Sequence, residues 1–375
     1  MAMDFADVYK GKTVLVTGHT GFKGSWLSEW LLLLGAKVVG FSLDPPTQPS
    51  HFDALGLGES LAADVRDDVR SLEALQATLA EHRPEIIFHL AAQPLVRKAF
   101  DEPHVTIETN VMGSLNLLEA VRRQGLDCIV VMITTDKVYE NVEWTYAYRE
   151  TDALGGHDPY SASKACAEVL ISSYQRSFFA SGRVAQDEPT IAVAIGRGGN
   201  VIGGGDWAED RIVPDSIRSL ARGKRIPVRN RVATRPWQHV LELLSGYLHL
   251  GAECMRAIAD QDHTKLEMLC SPFNFGPHIT SNKTVEELVL EILKHWPGGW
   301  KDQSQPDAKH EAGRLNLTID KAYHALGWQP RWSFEETVQH TVEWYREYYE
   351  ATCHEAGCMR EMTRQQIRAY SANAS

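Results

Sequence analysis

The chain has no stretch apolar enough to cross a membrane. Its apolar runs are short, such as Trp30 to Leu34, far below the roughly 20 residues a helical span needs. Met1 to Lys10 holds two aspartates and no apolar core, so no signal peptide is expected there. Basic charge is in deficit: 38 Lys and Arg against 49 Asp and Glu leave a formal net charge of -11. No basic stripe is present to neutralise a phosphate backbone. That excludes a general nucleic-acid binder, but not a nucleotide held by a few local arginines. Cysteine is sparse and scattered, at Cys128, Cys166, Cys254, Cys270, Cys353 and Cys358. The pair Cys353/Cys358 lacks the CxxC or histidine context of a zinc site, so no metal is expected. The thiols are expected to be reduced, in a cytoplasmic protein. No internal repeat or low-complexity tract is visible.

What is present points to an α/β architecture. At 375 residues and 43% apolar content, the chain suits one large domain with a smaller second lobe. Short β-branched runs read as buried strands at Lys12 to Thr17, Lys37 to Leu43, Glu85 to Ala91, Asp127 to Ile133 and Thr190 to Ile195. Helical patterns lie between them, at Phe22 to Leu34, Ser71 to His82, Val105 to Gln124 and Pro159 to Phe179. Gly35 and Gly125 serve as stops, and Pro159 stands near a helix start. Such alternation predicts a doubly wound parallel sheet of the Rossmann type. Gly196 to Asp206 carries Gly196, Gly198, Gly199, Gly203, Gly204 and Gly205, and reads as a loop. Residues 1–199 are therefore expected to form a dinucleotide-binding domain. Residues 200–375 are expected to form mainly a mixed substrate-binding lobe, with segments able to return to the first domain. A long helix is expected from Phe334 to Tyr349.

Gly18-His19-Thr20-Gly21-Phe22-Lys23-Gly24 lies between the first strand and the first helix. Glycines at Gly18, Gly21 and Gly24 permit a tight turn and close approach of a pyrophosphate to the helix N-terminus. The strand before and the helix after supply the context this motif needs. His19 is unusual inside such a turn; it can bond the pyrophosphate or crowd it. Asp44 follows the second strand, about 20 residues past the last glycine, where an acid holds the adenosine ribose hydroxyls. A carboxylate there repels a 2′-phosphate, so NAD is expected rather than NADP. Asp44 before two prolines also reads as a plain turn residue. Leu90-Ala91-Ala92 supplies small residues where the backbone would pass the cofactor.

Tyr160 and Lys164 are four apart, so on a helix they share a face. A phenol ionises near ~10, and an adjacent ammonium moves it toward the working range of a base. Thr134, Thr135, Asp136 and Lys137 close an apolar strand. Ligands of open α/β sheets bind at the carboxyl ends of strands, which aims Asp136 and Lys137 into the cleft.

Six segments together carry a resemblance. GHTGFKG, HLAAQPLVR (89–97), TTDKVYEN (134–141), GGHDPYSASKACAE (155–168), GRGGNVIGGGDW (196–207) and RPWQHVLE (235–242) resemble the CDP-glucose 4,6-dehydratase family. This is a branch of the extended short-chain dehydrogenase/reductases. Lys137 is the discriminating residue, since dTDP-glucose and GDP-mannose dehydratases carry glutamate there. The resemblance implies that NAD oxidises C4 of CDP-glucose, water leaves across C5 and C6, and hydride returns to C6. It implies Tyr160 as base for the 4-hydroxyl, Lys164 on the nicotinamide ribose and Thr135 on the 4-oxygen. It implies Lys137 as base at C5 and Asp136 as acid at the 6-hydroxyl. Cofactor contacts follow at Gly18, Thr20, Gly21, Phe22, Lys23, Gly24, Asp44, Asp64, Val65, Leu90, Ala91 and Ala92, with Asp64-Val65 at the adenine. Asn200, Arg211 and Arg235 are candidates for the substrate diphosphate, and Gln93 and Arg97 for the sugar. Trp237 reads equally as core. The resemblance further implies a homodimer, or a dimer of dimers, built on Val105 to Gln124 and Pro159 to Phe179, in deoxysugar and O-antigen biosynthesis. A dehydratase of another nucleotide sugar or a 4-epimerase, of the same fold, is an alternative, though an epimerase needs no acid/base pair at C5 and C6. A catalytically silent NAD-binding regulator is another, though both Tyr160 and Lys164 are intact.

Overall fold

Along β1 (Thr13–Thr17), alternate side chains face opposite ways. Val14 and Val16 enter one apolar cluster and Leu15 the other, so the strand is buried on both faces. The computed structural model describes residues 5–179, 189–304, 315–350 and 355–372. Cys353 and Met1 to Asp4 lie outside the described residues.

β1 joins β2 (Lys37–Ser42), β3 (Ala63–Arg66), β4 (Ile86–His89), β5 (Cys128–Ile133), β6 (Ile191–Gly198) and β7 (Pro272–Phe275). These seven strands order as β7-β6-β5-β4-β1-β2-β3. Every pairing is parallel. The winding direction reverses between β1 and β4, which opens a crevice at their carboxyl ends. Thr17 pairs in register with both Phe41 and His89, so the strand ends that line this crevice are level.

Helices cover both faces, as parallel sheets require. One side holds α1 (Phe22–Leu33) and α5 (Val240–Ala259). The other holds α2 (Leu72–His82), α3 (Gly113–Gln124) and α4 (Pro159–Phe178). α4 starts where its sequence says it should. Asp158 accepts the Ser161 amide at 3.0 Å, and Pro159 occupies the first turn.

Several elements differ from the expected ones. Gly196 and Gly198 belong to β6, not to a loop. α5 packs so closely there that a Cβ would sit 2.7 Å from the Tyr247 ring or 2.2 Å from Leu243. The helix expected over Val105 to Gln124 is interrupted: helix 103–107 runs into a π turn at Glu108–Met112 before α3. Two additions complete the C-terminal part. α6 (Phe334–Glu350) was expected, but α7 (Arg360–Ala372) was not. α7 lies on α1, where Arg360 and Arg364 both bond the fully buried Glu29. Cys358 is disulfide-bonded, against the expectation of reduced thiols throughout, and Cys128, Cys166, Cys254 and Cys270 are free.

Candidate active site

The turn after β1 is bare backbone by necessity. Gly18 has φ +76°, and a Cβ on it would meet the Ala91 nitrogen at 2.8 Å. A Cβ on Gly24 would sit 2.0 Å from the Gly18 carbonyl oxygen. Gly21 precedes α1, and no side chain caps that helix end. Its unpaired amides and dipole therefore suit an anion such as a dinucleotide pyrophosphate. The glycine cradle fits that group, and Ala91 forms its opposite wall.

Thr20 turns inward, bonding Ser42 Oγ and the Leu43 carbonyl, each at 2.9 Å. His19 also points away from the turn. Its Nε2 lies 2.8 Å from Asp64 Oδ1, and its ring fills the space above Gly40, where a Cβ would be 2.4 Å away. Burial holds its pKa below the usual value. Asp64 is further gripped by Arg66, and these bonds outweigh burial to lower its pKa. Asp44 is 91% exposed at the end of β2, with Arg66 Nη1 3.7 Å away.

At the end of β5, Thr135 caps the short turn Asp136–Val138. Its hydroxyl lies 2.9 Å from Asp136 Oδ1 and also hydrogen-bonds the Tyr160 phenol. Asp136 is buried, and that burial raises its pKa despite nearby Lys137, Arg235 and Lys23. A carboxyl so placed is suited to hold and deliver a proton. Lys137 Nζ is 5.9 Å from the centroid of the Tyr160 ring. Asp136 also lines a cavity walled by Gly199, Pro236, Gly276, His278 and Asn316.

Tyr160 does not have the depressed pKa expected of it. Burial pushes the phenol up to about 12. Lys164 donates instead to the Ile133 carbonyl at 3.2 Å. Burial, then the charge of Lys23, lowers Lys164 to about 8. Lys23 is itself lowered to about 8 by burial and by Arg211. The phosphate turn thus delivers a cation to the catalytic end, and Lys23 links the two halves of the site.

The substrate candidates separate. Arg211 bonds Asp206 at 2.8 Å and influences Tyr160 electrostatically, so it faces the reacting end. Arg235 reaches the neighbourhood of Asp136, and Asn200 stands two residues past the end of β6. Arg97 is 62% exposed and pairs with Asp210 at 2.8 Å. Gln93 is turned into the protein, away from the position expected of a sugar contact. Its amide bonds Thr106, the Leu95 carbonyl and the Leu95 nitrogen. Trp237 is core, 5% exposed, with its indole bonded to the Lys283 carbonyl.

Two supporting residues escaped the motif reading. Asn110, in the π turn, bonds Ser163 of α4 at 2.8 Å and the Gln93 carbonyl at 3.1 Å. π turns often mark functional sites, but nothing in the local sequence announces this one. Glu168 sits four residues past Lys164 on the same helix, a spacing that was readable.

A glycine cradle, a Thr-Tyr-Lys set and an acid at the end of β5 define an extended short-chain dehydrogenase/reductase. Known proteins narrow the class. The chain belongs to the GDP-mannose 4,6 dehydratase family, which it matches over residues 15–341. It is 44% identical over 340 residues to the CDP-glucose 4,6-dehydratase of Salmonella typhimurium, spanning 90% of this chain and 91% of that protein. To dTDP-glucose 4,6-dehydratase 1 of Escherichia coli it is 27% identical, over 88% and 92% of the two chains. DesIV, the dTDP-glucose 4,6-dehydratase of Streptomyces venezuelae solved with NAD and TYD bound, shares the fold. The TM-score is 0.74 at 24% identity, over 90% of this chain and 98% of that one.

Proposed function

We propose that this protein converts CDP-glucose to CDP-4-dehydro-6-deoxyglucose with NAD as a resident cofactor. The observation that carries this is the meeting of Thr135, Asp136, Lys137 and Tyr160 at one strand end, in a chain 44% identical to a CDP-glucose 4,6-dehydratase. When bound, NAD takes hydride from C4 and returns it at C6, so it is regenerated each turnover.

Gly18, Gly21, Phe22 and Gly24 hold its pyrophosphate, and Lys23 supplies a cation nearby. Asp44 holds the ribose hydroxyls, and its charge disfavours the 2′-phosphate of NADP. Asp64, Val65, Leu90, Ala91 and Ala92 line the rest of its path. Tyr160 takes the proton of the 4-hydroxyl. The Thr135 hydrogen bond and the charge of Arg211 favour the phenolate, which burial opposes, and bound NAD would add positive charge in the same sense. Lys164 orients the nicotinamide ribose, and Thr135 bonds the 4-oxygen. The 4-ketone acidifies C5, because the carbanion delocalises into the carbonyl. Lys137, as the neutral amine, accepts that proton, and Asp136, whose pKa burial raises, gives its own to the departing 6-hydroxyl. Arg211, Arg235 and Asn200 hold the diphosphate through fork and amide contacts.

Residues 200–375 act mainly as the substrate lobe, with β7 and α5 returning to the sheet. Two copies pair as a homodimer. Ile107, Met112, Val169 and Phe178, on the helices expected to form that interface, are exposed and apolar. The enzyme works in the cytoplasm; no helix among the described residues is long and apolar enough to cross a membrane. Purified protein incubated with CDP-glucose should give a 4-keto product, seen by its alkaline ultraviolet absorbance. Absence of product with CDP-glucose, and its appearance with another nucleotide sugar, would reassign the substrate.

A further inference from the structure

α7 contacts no reacting group, yet it is joined to the cofactor turn by a chain of buried hydrogen bonds. Trp344 Nε1 donates to Thr363 Oγ1 at 2.9 Å. Thr363 Oγ1 lies 3.4 Å from His51 Nε2. His51 Nδ1 lies 2.7 Å from Ser25 Oγ. Ser25 Oγ donates to the Phe22 carbonyl at 3.0 Å. With the Ser25 proton on the Phe22 carbonyl, Ser25 accepts from His51 Nδ1–H. His51 Nε2 is then the acceptor for the Thr363 hydroxyl, which accepts in turn from Trp344. Burial lowers the His51 pKa to about 3, so the ring stays neutral, with one nitrogen donating and the other accepting.

The relay ends in the first turn of α1. The Ser25 amide bonds the Gly21 carbonyl at 2.9 Å, and Gly21 borders the phosphate cradle. His51 also stacks on Trp26 with ring centroids 4.8 Å apart. Its ring blocks any Cβ on Gly205, which would lie 2.3 Å away. Gly205 precedes Asp206, the partner of Arg211. Glu29 of α1, fully buried and held by Arg360 and Arg364, fixes α7 in place.

We propose that α7 is a positioning element of the cofactor site, acting through Thr363 and His51 on the first turn of α1. This rests on the reading of that turn as the NAD pyrophosphate site. Thr363→Val removes the hydroxyl and keeps the shape; Thr363→Ser restores it.

The test is calorimetric titration of the full chain with NAD and, separately, with CDP. T363V should raise the Kd for NAD about fivefold or more, the range of ordinary coupling between sites. T363S should return it to near the wild-type value, and CDP affinity should stay unchanged. A T363V protein with lowered melting temperature but unaltered NAD affinity would reduce the relay to packing and overturn the proposal. Should T363V fail to fold, hydrogen exchange on the wild-type chain decides. Coupling is reciprocal, so NAD should slow exchange of amides within 360–372, and no change there overturns the proposal. Failure of the wild-type protein to bind NAD at all would instead sink the functional reading beneath it.

Discussion

Arg197 on β6 and Glu168 on α4 form a paired fork inside the protein, at 3% and 2% side-chain exposure. Arg197 Nε lies 2.9 and 3.0 Å from the two carboxylate oxygens. Glu168 also accepts the Thr134 hydroxyl at 2.6 Å, and Arg197 donates to Tyr139 at 2.7 Å. One carboxylate therefore ties the catalytic end of β5 to β6 and to the helix bearing Tyr160 and Lys164.

Removing half of this pair leaves a buried charge uncompensated. Arg197→Ala should destabilise the fold by about 3–5 kcal/mol, read by denaturant unfolding. The double variant Arg197→Met, Glu168→Met should recover much of that loss. A single variant within about 0.5 kcal/mol of wild type would show that the pair is dispensable.

Tyr160→Phe keeps the ring and its packing but removes the oxygen that takes the proton. Turnover should drop well below about a tenth of the wild-type rate, while NAD and CDP-glucose binding stay close to normal. Retained turnover would place the base elsewhere.

Lys137→Ala should separate the two halves of the reaction. Tyr160 and Lys164 remain, so CDP-glucose should still reduce bound NAD and give a transient near ~340 nm, the reduced nicotinamide band. Exchange of the C5 proton with deuterated water should be lost. Normal deuterium incorporation would leave Lys137 a charge or hydrogen-bonding role only.

Glu242 on α5 links the C-terminal segments to the core. It accepts the Arg331 and Trp332 amides at 2.9 and 2.7 Å, and the Tyr370 hydroxyl of α7. Burial outweighs these bonds and raises its pKa to about 7. The folded state thus holds a proton that the unfolded chain releases near ~4.3. Its stabilising contribution is complete below that value and is lost as pH rises to about 7. Glu242→Gln mimics the protonated form. Its stability relative to wild type should rise between pH 5 and 8, by up to about 3 kcal/mol. A flat difference across that range would mean Glu242 does not titrate there.

The cofactor turn and the YxxxK helix were legible because their chemistry is local. Gly24 meets the Gly18 carbonyl six residues back, and Pro159 acts on its own helix turn. What escaped depends on distant partners. Nothing near Gly196 or Gly198 says that Tyr247 and Leu243 will press on them, so a strand looked like a loop. Nothing near Gln93 says that Thr106 will take its amide nitrogen. His19 looked out of place beside a phosphate because Asp64 and Gly40, which receive it, come from other strands. The Tyr160 phenol was expected to be depressed by Lys164, but how deeply a helix is buried is a tertiary property.

β7 has a consequence for biosynthesis. The strand that covers the edge of β6 lies beyond α5, so β6 leaves the ribosome long before its neighbour exists. At synthesis rates of about 5–20 residues per second, that edge stays open for several seconds. An uncovered strand of eight residues, buried along its whole length in the finished protein, is a template for pairing with other chains. Nascent chains that stall before residue 272 should be the ones that a cell must chaperone.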